Sequence, residues 1–248
     1  MKKLKLLIYL LLIFACSNDN ETSENDSGSS GLIKSRIFKT DIAPNESDSK
    51  RSYFYSDGNK LKRIEYLKEK TVDDGTLDYK HHFFYENNLI VRIESFYRSK
   101  YTTNLNVVNY FEYDINENLV KFTRDSNRDG VEIHNYEYLN NGNVNDNYIK
   151  EGWNSQDTKT LEFDINRNLI SVASIGHITT YEYDDKISPF FGIAGLDKLY
   201  FVEMNLLQSG IYPTYYNFFK FNNPDEYEYN SELKPVSNSS NRIIFEYY

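Results

Sequence analysis

Cysteine and histidine are scarce in this sequence of 248 residues. Cys16 is the single cysteine, so no disulfide forms within one chain, and sites built from several thiolates are excluded. Among the four histidines, His81 and His82 are adjacent. Because adjacent side chains of a strand point to opposite faces, this pair does not chelate one ion, and a zinc site is disfavoured.

Apolar runs of about 18 residues, the length that crosses a membrane as a helix, do not occur inside the chain. The apolar run over residues 6–15 is about half as long as a spanning helix. It follows the basic residues Lys2, Lys3 and Lys5. This size and charge layout is typical of a secretory signal, which we assign to residues 1–15.

Basic residues are fewer than acidic residues, at 28 Lys+Arg against 37 Asp+Glu in the whole sequence. Removal of the signal takes three lysines and no acids, and it leaves 25 Lys+Arg against 37 Asp+Glu, a net charge of −12. Such a surface disfavours nucleic acid and anionic lipid head groups as partners. It is compatible with divalent cations, neutral glycans and basic proteins.

Sequence motifs of common enzymes are missing, among them G-x-S-x-G, H-E-x-x-H, a Walker loop and a dinucleotide fingerprint. Carboxylates are plentiful, but they flank the turns of a repeat, which favours solvated strand ends over general acid–base catalysis. A glycosidase pair of carboxylates needs no local signature, so glycan processing stays an alternative. The sequence favours a non-enzymatic protein and leaves the question open.

The mature chain begins with a polar segment. Residues 17–30 contain only Ser, Asn, Asp, Glu, Thr and Gly. This composition cannot bury apolar surface, so we predict a disordered tether over residues 16–31. Residues 32–248 then form a single domain, of an ordinary size for a β protein.

The rest of the chain repeats one module, in which a strand ends in an aromatic residue, a polar turn follows, and an apolar strand comes next. Asn, Asp and Gly in the turns tolerate positive φ. The spacing from the aromatic to the first aliphatic residue is six or four, and this difference of two is the side-chain period of a strand, which keeps one face apolar. The spacing is six at Tyr55–Leu61, Tyr113–Leu119, Tyr138–Val144 and Phe163–Leu169, and four at Tyr85–Leu89, Tyr183–Ile187 and Tyr229–Leu233.

This pattern predicts a mainly β fold, a curved antiparallel meander of repeated β-hairpins. Amphipathic crossover segments between the modules are missing, which disfavours a parallel sheet. Residues 189–221 break the repeat, and apolar residues from Leu196 to Leu207 recur at near-helical spacing. We therefore expect one short helix or coiled insert near 196–209 that packs on the sheet. The spacing leaves open whether the sheet closes on itself.

Two segments carry candidate ligand-binding residues. Asp125, Asn127 and Asp129 fit the opening D-x-N-x-D-G of a calcium loop, but Tyr136 stands where such a loop has its closing Glu. A hairpin tip accounts for the same residue types. Trp153 lies beside Asn154 in a predicted loop, where an exposed ring stacks on a sugar; packing is the alternative. No cofactor other than calcium is indicated.

Residues 13–16, Ile-Phe-Ala-Cys, resemble a bacterial lipobox. The resemblance implies cleavage before Cys16 and lipid on its thiol. Ser17 rather than Asp follows Cys16, which by analogy implies anchoring in the outer membrane. Residues 17–21 resemble the acidic export signal of bacteroidete-type surface lipoproteins, with a plain hydrophilic tether as the alternative. The expected location is the outer membrane, on its periplasmic or surface face.

The segments at residues 113–119 and 163–169, YDINENL and FDINRNL, resemble YD repeats, the Tyr-Asp-x-x-Gly-x-Leu units of Rhs and teneurin proteins. The resemblance implies β-hairpins; the toxin-enclosing shell of those proteins needs far more repeats and is not implied. The whole chain resembles small bacteroidete-type lipoproteins with such repeats. We expect a lipid-anchored, non-enzymatic binding or scaffolding module, whose partners are the membrane through Cys16 and a glycan or envelope protein. A glycan-binding or glycan-processing surface lipoprotein is the alternative.

Overall fold

The computed structural model describes residues 31–39, 49–68, 78–98, 103–152, 156–202, 217–220, 227–238 and 243–248. The predicted mainly β fold is confirmed. The strands are β1 (Ile33–Phe38), β2 (Ser49–Ser56), β3 (Lys60–Lys68), β4 (Asp78–Glu86), β5 (Leu89–Arg98), β6 (Thr103–Tyr113), β7 (Leu119–Ser126), β8 (Gly130–Tyr138), β9 (Val144–Lys150), β10 (Gln156–Phe163), β11 (Leu169–Ser174), β12 (His177–Thr180), β13 (Glu182–Ile187), β14 (Asn217–Lys220), β15 (Tyr227–Tyr229), β16 (Pro235–Asn238) and β17 (Ile243–Tyr247).

Fifteen of these strands form one antiparallel sheet, and β13 pairs with β14 in a second sheet of two strands. From β1 to β12 each strand lies beside its neighbour in sequence. The C-terminal strands extend the sheet on its other side, where β17 pairs with β1 and β16 and β15 follow. The predicted antiparallel meander of hairpins is thus confirmed, and the sheet is not closed.

A β-bulge beside the strand-final aromatic residue sets the register of most hairpins. Register shifts occur between Phe54 and Tyr55, between Glu112 and Tyr113, and between Glu162 and Phe163. Each bulge adds one residue to the second strand, on the side of the aromatic–aliphatic pair away from the turn. The pair itself is set by the turn, since Tyr138 pairs with Val144 in a hairpin that has no bulge. The predicted spacing of six is confirmed at Leu61, Leu119, Val144 and Leu169.

The predicted spacing of four is wrong at all three positions. Tyr85 pairs with Ile90, because the two-residue turn places Glu86 opposite Leu89. Tyr229 pairs with Pro235, and Leu233 belongs to the turn between them. No turn separates Tyr183 from Ile187, since both belong to β13. A count of residues between apolar positions does not reveal which of them pair.

One face of the large sheet carries the hydrophobic core near the β2–β3, β4–β5, β6–β7, β8–β9 and β10–β11 turns. We call this end of the sheet the tip end. Its core residues are aromatic or aliphatic and include Tyr53, Leu61, Ile64, Ile90, Ile93, Phe111, Leu119, Val144, Leu161 and Leu169. Alternating strand residues point to one face, which is why the apolar positions of successive repeats meet.

The insert that we predicted near 196–209 covers this core over residues 188–202. A 3-10 turn spans Leu196–Lys198, and Ile193, Leu199 and Phe201 are buried against the sheet. Ala194 N–H donates to the Asn59 carbonyl at 3.0 Å, which ties the insert to the β2–β3 turn. Residues 203–209 lie outside the described residues. Over the described part of the chain no helix is long and apolar enough to cross a membrane.

Strand β13 contacts hairpins from the two ends of the strand order. The Tyr183 hydroxyl donates to the Leu169 carbonyl at the start of β11, at 2.7 Å. At the other end of β13, Ile187 N–H donates to the Leu233 carbonyl in the β15–β16 turn, at 3.0 Å. The first and last hairpins of the described sheet are therefore linked through one strand outside it.

Candidate functional site

Tyrosine hydroxyls join successive hairpins at the tip end. Tyrosines at the ends of β2, β6 and β8, and a tyrosine near the start of β13, reach the first residues of an earlier strand, where a buried carbonyl needs a donor. Tyr85 accepts instead, from Leu61 N–H at 2.9 Å. The donating hydroxyls are those of Tyr55, Tyr113, Tyr138 and Tyr183, and they reach the carbonyls of Ile33, Ile90, Leu119 and Leu169 at 2.9, 2.8, 3.1 and 2.7 Å. We call this set the tyrosine ladder.

The two Asp-Ile-Asn turns have the same internal hydrogen bonds. Asp114 Oδ1 accepts from the N–H groups of Asn116 and Asn118 at 2.9 and 2.8 Å, and Asp164 does the same for its own turn. These bonds stabilise the Asp114 carboxylate: the Asn118 side chain and backbone lower its pKa. The carboxylates are thus used to build turns, as expected for Asp at such positions.

A cleft of about 400 Å³ opens at the tip end, between three successive turns and the insert. We call it the tip cleft. The turns at 114–118, 139–143 and 164–168 form its floor and rim, and the insert contributes Lys198 and Tyr200. Its lining residues are Glu117, Asn118, Leu119, Tyr138, Asn141, Gly142, Phe163, Asp164, Ile165, Arg167, Lys198 and Tyr200. Its volume lies in the usual range for small-molecule sites.

Aromatic rings form one wall of the tip cleft. The ring of Phe163 meets that of Tyr200 edge-on at 5.2 Å between centroids, and Phe201 packs behind both, at 5.9 and 4.8 Å. Burial raises the pKa of the Tyr138 and Tyr200 hydroxyls, and the charge of Arg167 partly opposes this. Both hydroxyls therefore stay protonated at neutral pH and lie within electrostatic range of Arg167.

The charged side chains of the tip cleft differ in whether they form an ion pair with another residue. Lys198 Nζ lies 3.0 Å from a Glu117 carboxylate oxygen. Asp164 Oδ2 accepts from the Asn168 amide at 2.8 Å, in addition to its two turn bonds. Among the residues that the structure describes, no carboxylate forms an ion pair with Arg167. The arrangement therefore suits a ligand with an apolar ring face and a negative group.

The predicted calcium residues lie at the β7–β8 turn, at the end of the sheet opposite the tip cleft. Asp129 accepts from Arg124 at 3.3 Å, and Asn127 Nδ2 donates to the Leu105 carbonyl at 2.7 Å. Asp125 follows Arg124 on β7, so the two side chains point to opposite faces of the sheet. The Asp125 side chain thus lies on a different face from that of Arg124, which Asp129 contacts, and the described residues include no cluster of three acidic, His or Cys side chains suited to a metal. The calcium site stays a prediction.

Cys16 and Trp153, the other predicted site residues, lie outside the described residues. Lipidation of Cys16 and a sugar contact of Trp153 therefore stay predictions. The sequence reasoning gave no role to Arg167, Lys198 and Tyr200, which line the tip cleft. One signal was present: Arg167 stands where the Tyr-Asp-x-x-Gly-x-Leu pattern has its glycine.

Two histidines form buried polar pairs on the core face of the sheet. His134 Nδ1 lies 2.9 Å from both carboxylate oxygens of Asp146, which belongs to the neighbouring strand β9. His81 Nδ1 lies 3.0 Å from the Ser95 hydroxyl. Burial, with help from Arg51 and His82, lowers the pKa of His81 to about 3. The sequence gave no sign of either pairing, because each partner belongs to another strand.

The fold and the tip cleft define a class of protein: an antiparallel β-repeat sheet with a partly aromatic cleft at one end. No protein-family model matches the chain, and no curated protein matches it either.

Proposed function

We propose that the chain is a lipid-anchored cell-envelope protein with YD-repeat-like hairpins, and that it serves as a non-enzymatic binding or scaffolding module. The tip cleft is the observation that carries this proposal. It combines a ring wall, a charge without an ionic partner among the described residues, and two tyrosine hydroxyls in one concavity. A few polar groups in a largely preformed concavity are the usual features of a binding site.

The use of the carboxylates supports binding over catalysis. General acid–base work needs carboxyl groups placed to exchange protons with a substrate. Asp164, which lines the cleft, accepts three hydrogen bonds from its own turn. Glu117 pairs with Lys198. Both cleft carboxylates are thus engaged in holding the turns and the insert.

The anchor follows from the lipobox-like residues at 13–16. The tether that the composition of residues 16–31 predicts would span roughly 20 Å as a flexible coil, which would keep the domain near the membrane surface. Several acyl chains on Cys16 give firm attachment, since each buried CH₂ contributes about 0.8 kcal/mol.

The anchor is tested by fractionation of cells that express the full chain. The protein is expected in the membrane fraction, with metabolic labelling by palmitate, and Cys16→Ser is expected in the soluble fraction without label. Membrane retention of the unlabelled Cys16→Ser protein would contradict the lipid anchor.

The binding role is tested by retention of the detergent-solubilised lipoprotein on washed envelopes that lack it. Tyr200→Leu removes a ring from the cleft wall and is expected to lower retention at least tenfold. Tyr110→Leu is the matched control, because Tyr110 is 42% exposed and lies outside the cleft. Equal retention of both variants would overturn the role of the cleft. Release of soluble sugar by the wild type, lost in a carboxylate variant, would favour the glycan-processing alternative.

A further inference from the structure

The turn position of Arg167 is the first step toward the ligand of the tip cleft. Arg167 has a φ of 62° and Glu117, at the same place in the neighbouring turn, a φ of 61°. This left-handed conformation is unfavourable for a residue with a Cβ atom, and glycine avoids the cost. Gly142 occupies the equivalent place in the turn between them.

Both strained residues line the tip cleft, but only one has its charge neutralised. Glu117 pairs with Lys198 of the insert at 3.0 Å. The Asp164 carboxylate, the other acid of the cleft, is held by Asn166 and Asn168 of its own turn. The guanidinium of Arg167 is thus the cationic group that remains for a ligand in this cleft. A guanidinium binds a carboxylate through two parallel hydrogen bonds.

The rest of the wall suits a saturated ring with hydroxyl groups. The rings of Phe163 and Tyr200 present apolar surface next to the hydroxyls of Tyr138 and Tyr200. Asn141 adds an amide at the rim. Aromatic side chains with a polar tip contact a ligand that is apolar on one face and polar at its edge. A sugar ring has these properties.

We propose that the tip cleft binds a sugar ring that carries a carboxylate, as in an oligosaccharide of a uronic acid, and that Arg167 selects the charged form. The inference rests on the proposed binding function and names its ligand class. The sugar stacks on the Phe163–Tyr200 wall, and its carboxylate lies against the Arg167 guanidinium.

The test is calorimetric titration of the full lipoprotein in detergent micelles with trigalacturonate and with its methyl ester. The two probes share rings and hydroxyls and differ in charge. Wild type is expected to bind the acid at least tenfold more tightly than the ester. Arg167→Gly suits the left-handed turn and is expected to bind the acid at least tenfold more weakly, with the ester unchanged. Leu233→Gly makes the same turn substitution outside the cleft, at φ 61°, and is expected to bind as wild type.

Each contrary outcome has a separate meaning. Equal affinity for acid and ester, or an unchanged preference in Arg167→Gly, would overturn selection by charge. Binding of neither probe by a protein that is still retained on envelopes would overturn the sugar-acid ligand and leave the binding function intact. If the wild-type protein itself is not retained on washed envelopes, the proposed binding function is overturned.

Discussion

Backbone strain at the residue scale is concentrated in the turns. Six non-glycine residues of the described chain have a positive φ, and three of them are asparagines, which tolerate it. The other three, Glu117, Arg167 and Leu233, occupy the same place in turns of the same type. There the N–H donates to the turn's first carbonyl at 3.0 Å, and the side chain of the first residue, Asp114, Asp164 or Asn230, fixes the remaining turn amides. The turn bonds impose the conformation whatever residue stands there.

Leu233→Gly is expected to stabilise the fold. Relief of the left-handed strain gains about 1–2 kcal/mol, and the greater freedom of glycine in the unfolded chain takes back about 0.5–1 kcal/mol. The expected net gain is up to about 1.5 kcal/mol in the free energy of unfolding, measured by urea titration. Leu233→Ala is the control, because it shortens the side chain and keeps the strain. An equal effect of both substitutions would contradict this account.

His81 gives the fold a pH dependence. Above pH 6.5 the imidazole is neutral in both the folded and the unfolded chain. Between pH 6.5 and about 3, the unfolded chain binds a proton that the folded chain does not, because burial lowers the pKa of His81 in the fold to about 3. The free energy of unfolding therefore falls as pH falls, with a slope of up to about 1.4 kcal/mol per pH unit from this group.

His81→Gln keeps a polar group beside Ser95 and does not titrate. Urea titrations at intervals from pH 7 to pH 5 are expected to give a shallower slope for this variant than for wild type. Identical slopes for the two proteins would show that His81 is not the group responsible.

At the element scale, the repeat was predictable where local chemistry decides the structure. The spacing from Tyr113 to Leu119 predicts a hairpin because strand pairing needs one face of apolar residues, and the hairpin formed there has the predicted pairing. The hydrogen bonds that the two Asp-Ile-Asn turns form within themselves also follow from the residue types. The bulge beside Tyr85 was not predictable, since an extra residue in one strand leaves the alternation of apolar positions almost unchanged.

The tyrosine ladder couples each hairpin to the one before it. Tyr113→Phe removes the donor to the carbonyl of Ile90, a residue with no exposed surface. The expected loss is about 1–2 kcal/mol in the free energy of unfolding, because a buried acceptor is left without its partner. Urea titration of the two proteins measures it.

Phe163 provides the reverse test of the ladder. It is the strand-final residue of the β10–β11 hairpin, and by the pattern of its neighbours a hydroxyl here faces the Val144 carbonyl. Phe163→Tyr is expected to leave stability unchanged or to raise it by up to about 1 kcal/mol. A loss in Phe163→Tyr as large as that in Tyr113→Phe would show that ring packing, rather than the hydroxyl bond, joins the hairpins.

At the scale of the whole molecule, the tip cleft depends on parts of the chain that sequence spacing does not relate. Turns from three successive hairpins meet the insert, which begins some 20 residues after the last of them. The sequence predicted an insert that packs on the sheet, but not the depth of its contact or the residues it brings to the cleft. Packing of that kind is decided by shape complementarity between distant segments.

Gly195 lies where the backbone of the insert closely approaches the backbone of the sheet. Its φ is +75°, and a Cβ atom there would lie 2.8 Å from the Asn88 carbonyl oxygen and 3.0 Å from the Ile90 amide nitrogen. Gly195→Ala is therefore expected to lower the free energy of unfolding by more than 2 kcal/mol, because both neighbours are backbone atoms of the sheet and cannot move aside.

Gly192→Ala separates the clash from the backbone strain. Gly192 has a φ of +87°, but a Cβ atom there would meet only the end of the Leu32 side chain, at 3.7 Å. The substitution Gly192→Ala is expected to lower the free energy of unfolding by about 1–2 kcal/mol, because of the left-handed conformation alone. Gly195→Ala should in addition weaken ligand binding, because the displaced insert carries Lys198 and Tyr200 away from the turns. Equal unfolding free energies and equal ligand affinities in the two variants would show that the insert does not position the cleft.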